Sequence, residues 1–167
     1  NSKKLIILKA FTKLYGMAGV RLGYALSADT ALLEQMQACG QPWGVSSLAQ
    51  TAGLAALEET AFRAVLPAVF AVRWGVLRGC VAASVCFGVW HVLPALGLTE
   101  VNPAATRIFG SGTAGVVAAV VFAVVGTTVA GLWWCWIRYR SRSILATVMA
   151  HTATNTIGYL LAYAVTR

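Results

Sequence analysis

Thr113–Ile137, TAGVVAAVVFAVVGTTVAGLWWCWI, decides how this chain folds, because it runs for 25 residues without one charged side chain. As a helix rising about 1.5 Å per residue it exceeds the roughly 30 Å hydrocarbon core of a bilayer. Trp133, Trp134 and Trp136 near its end suit an interfacial belt, and the basic turn Arg138-Tyr139-Arg140-Ser141-Arg142 marks where it leaves the membrane.

Working outward, Ile144 to Thr166 reads as a second full-length span. Upstream, an apolar helix is expected from Gly79 to His91 or slightly beyond, ending near Pro94. The intervening stretch Leu98 to Gly112, with Asn102-Pro103 and Gly110-Ser111-Gly112, reads as a loop. A further helical pattern starts at Ser46 or Ser47 and runs to about Val72, with Pro67 expected to kink it. Before it, Leu5 to Leu8, the glycine-punctuated stretch to Gly23-Tyr24, and a helix from Thr30 to about Ala38 capped by Asp29 read as a short α/β-type fragment. The expected fold is mainly α: a polytopic membrane bundle of about four helices over 58–167, preceded by the fragment 1–57.

Composition agrees. Of 167 residues, 59% are hydrophobic and 11% charged, where a soluble domain carries about a quarter charged. All four lysines (Lys3, Lys4, Lys9, Lys13) precede residue 14, and every basic residue after Glu58 is arginine, which suggests two segments of different origin. The net charge of +8 does not imply nucleic acid, because the arginines cluster between apolar runs, where they anchor helices to membrane lipid. Arg73 and Arg78 flank one connection and Arg138, Arg140 and Arg142 occupy another. The positive-inside rule places both turns in the cytoplasm and the 98–112 connection outside. Cys39, Cys80, Cys86 and Cys135 show neither a disulfide framework nor a thiolate metal spacing.

Polar groups interrupt the apolar helices at three places: Glu58-Glu59-Thr60-Ala61-Phe62-Arg63, Phe87-Gly88-Val89-Trp90-His91 and His151-Thr152-Ala153-Thr154-Asn155. Four-residue spacing puts Glu59 beside Arg63, and His151 beside Asn155, on single helix faces. Counted from the basic turns, Glu58 lies roughly 21 Å deep, His91 roughly 18 Å and His151 roughly 12 Å. An ionisable group at such depth costs about 3 kcal/mol even on the lenient insertion scale, so it is rarely kept without a partner or a function. A lone helix histidine is more often a packing residue than a ligand, but both histidines of this chain fall in these motifs. Glu59 with Arg63 reads first as a structural ion pair, and Phe87 as packing.

The ordered trio EExxxR, FxxxH, HxxxN on apolar helices resembles the CPBP family of intramembrane proteases, which includes CAAX prenyl endopeptidases and bacterial Abi proteins. The likeness covers about 110 residues, 58–167. It implies an integral cell-membrane enzyme that hydrolyses a peptide bond of a membrane-associated peptide or protein in or next to the membrane. Glu58 would activate a water, with His91, His151 and Asn155 positioning that water, a metal or the oxyanion. Glu59 and Arg63 would support Glu58 from behind, and a divalent ion such as zinc, if used, would be held by Glu58, His91, His151 and Asn155.

A second resemblance lies in Phe11-Thr12-Lys13, Gly19-Val20-Arg21-Leu22-Gly23-Tyr24 and the run from Gln41 to Gln50. These residues resemble fold-type I pyridoxal-phosphate (PLP) enzymes such as threonine-phosphate decarboxylases and histidinol-phosphate aminotransferases. By that resemblance Lys13 would form the Schiff base and Arg21 would bind the cofactor phosphate, while Ala10 stands where many relatives have a phosphate-binding serine. The alternatives to a membrane peptidase are therefore a fragment of a PLP-dependent aminotransferase or decarboxylase, or an inactive chimeric membrane protein.

Overall fold

The computed structural model describes residues 5–42 and 44–166; the side chains of Lys13, Leu14, Ala18, Val165 and Thr166 lie outside that description. The chain divides into two compact units, Asn1–Ala56 and Leu57–Arg167.

In the first unit, strands β1 (Ile6–Ala10) and β2 (Gly23–Ser27) pair antiparallel, with Ile6 opposite Ser27 and Ala10 opposite Gly23. Between them lie the short helix α1 (Phe11–Leu14) and a single 3-10 turn, Ala18–Val20. Phe11 and Tyr15 are buried and stacked at 5.0 Å, but Leu5, Ile7, Leu8 and Leu26 stay exposed. Helix α2 (Thr30–Cys39) begins where the Asp29 carboxylate accepts from the Leu32 N–H at 3.0 Å, the cap its sequence announces.

Helix α3 (Ser47–Glu59) begins in the first unit and ends in the second, which is helical; it leads into a π-helical turn, Thr60–Val65, and then α4 (Leu66–Trp74). Gly75, at φ +79°, allows the abrupt reversal into α5 (Val76–Trp90), which α6 (Val92–Leu96) nearly continues. Short helices α7 (Leu98–Val101) and α8 (Pro103–Phe109) precede α9 (Gly112–Ser141) and α10 (Ile144–Thr166). Helix α9 is the hub, packing against α5, α6, α7, α8 and α10. Its antiparallel contact with α5 runs from Gly88 against Val124 and Thr128 to Ser84 against Cys135. The Arg73–Arg78 and Arg138–Arg142 turns therefore share one end. The core of this unit gathers Phe62, Phe87 and Trp134.

One expectation needs correction. The 98–112 connection is not irregular, because Asn102 acts as an N-cap, accepting from Ala104 N–H at 3.0 Å, with Pro103 at the first helical position. An Asn-Pro pair can start a helix as well as a turn. Pro67 lies in the first turn of α4, immediately after the π-helical turn. It cannot donate to the Arg63 carbonyl, and the helix widens just upstream, where Leu66 N–H donates to the carbonyl of Ala61 five residues back. Among the described residues two helical stretches are long and apolar enough to cross a membrane, Val76–Leu96 and Gly112–Ser141. Helix α10 forms over the expected length, but His151, Asn155 and four threonines between Thr147 and Thr156 dilute its apolar character.

A Cβ added at Gly88 would collide with the Thr128 hydroxyl and lie 2.7 Å from the Val124 carbonyl oxygen. Gly88→Val should therefore lower stability by about 1–3 kcal/mol, the usual cost of overpacking. Thermal unfolding in detergent micelles measures it, and Gly126→Val, in open space on α9, is the matched control.

Candidate active site

The three polar interruptions meet through Glu59, whose side chain has 0% exposure. From its position at the end of α3, one carboxylate oxygen, Oε2, sits 3.3 Å from Arg63 Nε one turn ahead. The other, Oε1, lies 2.9 Å from Nδ1 of His151 on α10. An ionised carboxylate only accepts, so Nδ1–H of His151 donates to it. That assignment leaves His151 Nε2 facing Glu58 Oε2 at 3.7 Å, beyond hydrogen-bond range. Glu58 is the opening of this arrangement, its side chain 26% exposed while His151 is at 3%.

Aromatic rings enclose the charged groups. The Arg63 guanidinium lies 4.1 Å from the centroid of Phe87 on α5 and 5.0 Å from that of Trp134 on α9. Its terminal nitrogens have no hydrogen-bond partner among the described residues, so ring faces and the Glu59 charge stabilise it. The 3.3 Å contact to Glu59 is accordingly an ion pair rather than a well-directed hydrogen bond. Trp134 also stacks on the His151 ring, with centroids 4.2 Å apart and planes 24° from parallel.

His91 is half-buried at the end of α5, with Nδ1 2.8 Å from the carbonyl oxygen of Phe87. That carbonyl only accepts, so Nδ1–H is committed there as well. Phe87 lies edge-on to both imidazoles, at 4.5 Å from His91 and 5.9 Å from His151, and so forms a wall common to them. Asn155 is half-buried one turn beyond His151 on the same face of α10.

The structure thus joins Glu58, Glu59, Arg63 and His151 directly, and links His91 to them through Phe87. Glu59 and Arg63 hold His151, where the sequence had them supporting Glu58. Trp134 was assigned to an interfacial belt. It is buried against the site instead, while Trp133 and Trp136 remain exposed. Three tryptophans near a helix end signal an interface, and no spacing in the sequence says which of them turns inward.

Among the described residues no group of three or more His, Cys, Asp or Glu side chains gathers closely enough to hold a metal ion. In the first unit Arg21 is exposed, with its backbone in the left-handed region at φ 52°, and the Lys13 side chain lies outside the described residues.

Comparison with known proteins accounts for both halves of the sequence. The family described as type II CAAX prenyl endopeptidase Rce1-like matches residues 41–157, more than two thirds of the chain. Aminotransferase class I and II matches residues 1–69. Curated relatives over the N-terminal part are histidinol-phosphate aminotransferases. That of Geobacillus sp. (strain WCH70) is 41% identical over 58 residues, 35% of this chain and 16% of that protein. That of Bacillus subtilis (strain 168) is 43% identical over 58 residues, with the same coverage of 35% and 16%. Histidinol-phosphate aminotransferase 1 of Bacillus cereus (strain ATCC 14579) is 42% identical over 60 residues, 36% of this chain and 16% of that protein. The chain spans about a sixth of the length of these relatives. No solved structure matches.

Because Glu59 and Arg63 are both fully enclosed, removing one strands the other. Arg63→Met should cost about 3–5 kcal/mol, while the double variant Glu59→Met, Arg63→Met should cost markedly less than the sum of the two single changes. A double-mutant cycle on chemical unfolding midpoints reads the coupling, and additive costs would show that the pair is not an energetic unit.

Proposed function

We propose, for a chain that belongs to the Rce1-like family of type II CAAX prenyl endopeptidases, that it hydrolyses a peptide bond of a membrane-associated peptide or protein by a water that Glu58 activates. The observation that carries this reading is the 3.7 Å separation of Glu58 Oε2 and His151 Nε2. With Nδ1–H given to Glu59, Nε2 presents a lone pair, as does the ionised Glu58 oxygen. Two acceptors so placed do not bond each other. A water at ordinary hydrogen-bond distance from each can satisfy both by donating one proton to each, which leaves its own lone pair free for a carbonyl carbon.

In hydrolysis the water oxygen bonds to the scissile carbonyl carbon as Glu58 takes the water proton, and that proton passes to the leaving amine as the C–N bond breaks. His91, with Nδ1–H held by Phe87, also presents an accepting Nε2, which suits it to orient water rather than to stabilise an oxyanion. The Asn155 amide is the neutral donor available on the same helix face as His151, and it is assigned to the developing oxyanion. The two apolar helices and the shared arginine end support an integral membrane protein with the Arg73–Arg78 and Arg138–Arg142 turns toward the cytoplasm. The aminotransferase-like segment corresponds to a fragment of such enzymes, about a sixth of their length.

The test is cleavage of a prenylated CAAX peptide by the full chain in proteoliposomes. Glu58→Gln should lower kcat by about 10²–10⁴-fold, the range for loss of a general base. His151→Ala should do the same, and Lys13→Ala should leave the rate unchanged. If Glu58→Gln cleaves as fast as the parent chain, the assignment of the base is wrong. If Lys13→Ala abolishes cleavage, the division of labour between the two segments is wrong.

A further inference from the structure

Trp134 belongs to none of the three polar motifs, yet it touches one residue of each, Arg63, Phe87 and His151. Its neighbours on α9 show how different its position is: Trp133 is 64% exposed and Trp136 63%, as lipid-facing residues are, whereas Trp134 is 6% exposed. The close approach of α9 to α5 sets this up. One turn earlier, at Gly131, an added Cβ would stand 3.1 Å from the Ser84 side chain, so the helices meet there with almost no intervening side chain. Trp134 is thereby carried inward beneath His151.

A hydrogen bond from Nδ1 to Glu59 fixes one point of the His151 ring but leaves the ring free to tilt about that bond. Where Nε2 points then depends on what defines the ring plane. Two surfaces do so: the indole of Trp134, 24° from parallel at 4.2 Å, and Phe87, perpendicular at 89° and 5.9 Å. Phe87 meets the imidazole edge-on and limits its rotation in one direction only. The flat contact over most of the ring is Trp134, and the same indole lies 5.0 Å from the guanidinium charge that holds Glu59 in place. On this geometry we infer that Trp134 is a positioning residue, a flat platform that sets the plane of His151, and with it the alignment of its Nδ1–H bond to Glu59, so that Nε2 faces Glu58 and the reacting water. The inference rests on the hydrolytic reading for its catalytic consequence, but its structural content concerns one imidazole and one indole.

The discriminating comparison is Trp134→Phe against Trp134→Leu and Trp134→Met. Phenylalanine keeps a flat face, whereas leucine and methionine keep apolar volume without one. The chain has two histidines, so nitrogen-15 spectra of the histidine-labelled full chain in detergent contain two rings, and His91→Gln assigns them. The parent chain and Trp134→Phe should show His151 locked with its proton on Nδ1. Trp134→Leu and Trp134→Met should move its ring nitrogens toward the averaged values of exchanging tautomers. In the peptidase assay both flat-face-deficient variants should lose about 10–100-fold in kcat with KM little changed, the usual effect of disturbing a supporting residue. Trp134→Phe should restore most of the rate.

Equal behaviour of Phe, Leu and Met in both measurements would overturn the inference and leave Trp134 as core filling. If the parent chain cleaves nothing, the hydrolytic reading fails while the spectra still decide the positioning role. A Leu variant that does not fold is replaced by the Met variant, which adapts better to an irregular core.

Discussion

Everything in the helical unit is arranged around one buried ionic line, Arg63 to Glu59 to His151. A carboxylate with no exposure must be compensated, and here the compensation comes from one turn ahead on its own helix and from a helix 92 residues later in the chain. The aromatic rings that make the surroundings dry are contributed by two further helices, Phe87 from α5 and Trp134 from α9. Four segments therefore have to arrive together for any one of these charges to be tolerated. That requirement converts a nonspecific apolar bundle into one with a defined register, since sliding any helix by a turn would leave a charge in an apolar environment without its partner.

The turn that follows Glu59 and carries Arg63 is π-helical rather than α-helical, and Pro67 explains why. Its missing N–H and its ring disturb the ladder below Arg63, and widening the helix over Thr60–Val65 absorbs the disturbance with the Leu66 N–H still paired. The distortion thus lies within the motif whose side chains need unusual placement. Depth counting missed the consequence. Measured from their basic turns, Glu58 and His151 differed by roughly 9 Å, yet they are in contact, because counting at 1.5 Å per residue assumes straight helices starting from level turns.

What the sequence made legible was what periodicity and capping control. The uncharged run of α9, the Asp29 cap and the four-residue spacing of Glu59 with Arg63 all appear where residue type alone puts them. What it concealed depends on three-dimensional neighbours. Trp133, Trp134 and Trp136 are indistinguishable as letters, and only the α5–α9 approach at Gly131 turns the middle one inward. Which carboxylate supports which group was hidden for the same reason. The junction shows a related limit: the two family matches overlap over residues 41–69, so the helical stretch ending in Glu58-Glu59 satisfies both patterns, and letters alone do not assign it to one.

The adjacent glutamates also explain how one site can contain both a structural and a reactive carboxylate. Consecutive residues on a helix point about 100° apart, so a Glu-Glu pair cannot send both side chains into the same enclosure. One is drawn fully inside, where Arg63 and His151 use both of its oxygens and leave it nothing to do but hold. The other is turned toward the opening, keeps about a quarter of its surface accessible and touches His151 only at 3.7 Å. Two carboxylates competing for one arginine would raise the cost of both. Separating them by helix geometry lets Glu59 accept the positive charge while Glu58 keeps an uncommitted oxygen beside an imidazole whose orientation Glu59 has already fixed. The glutamate proposed to act on water is therefore the less buried of the two, and the imidazole beside it is oriented by the one that is fully enclosed.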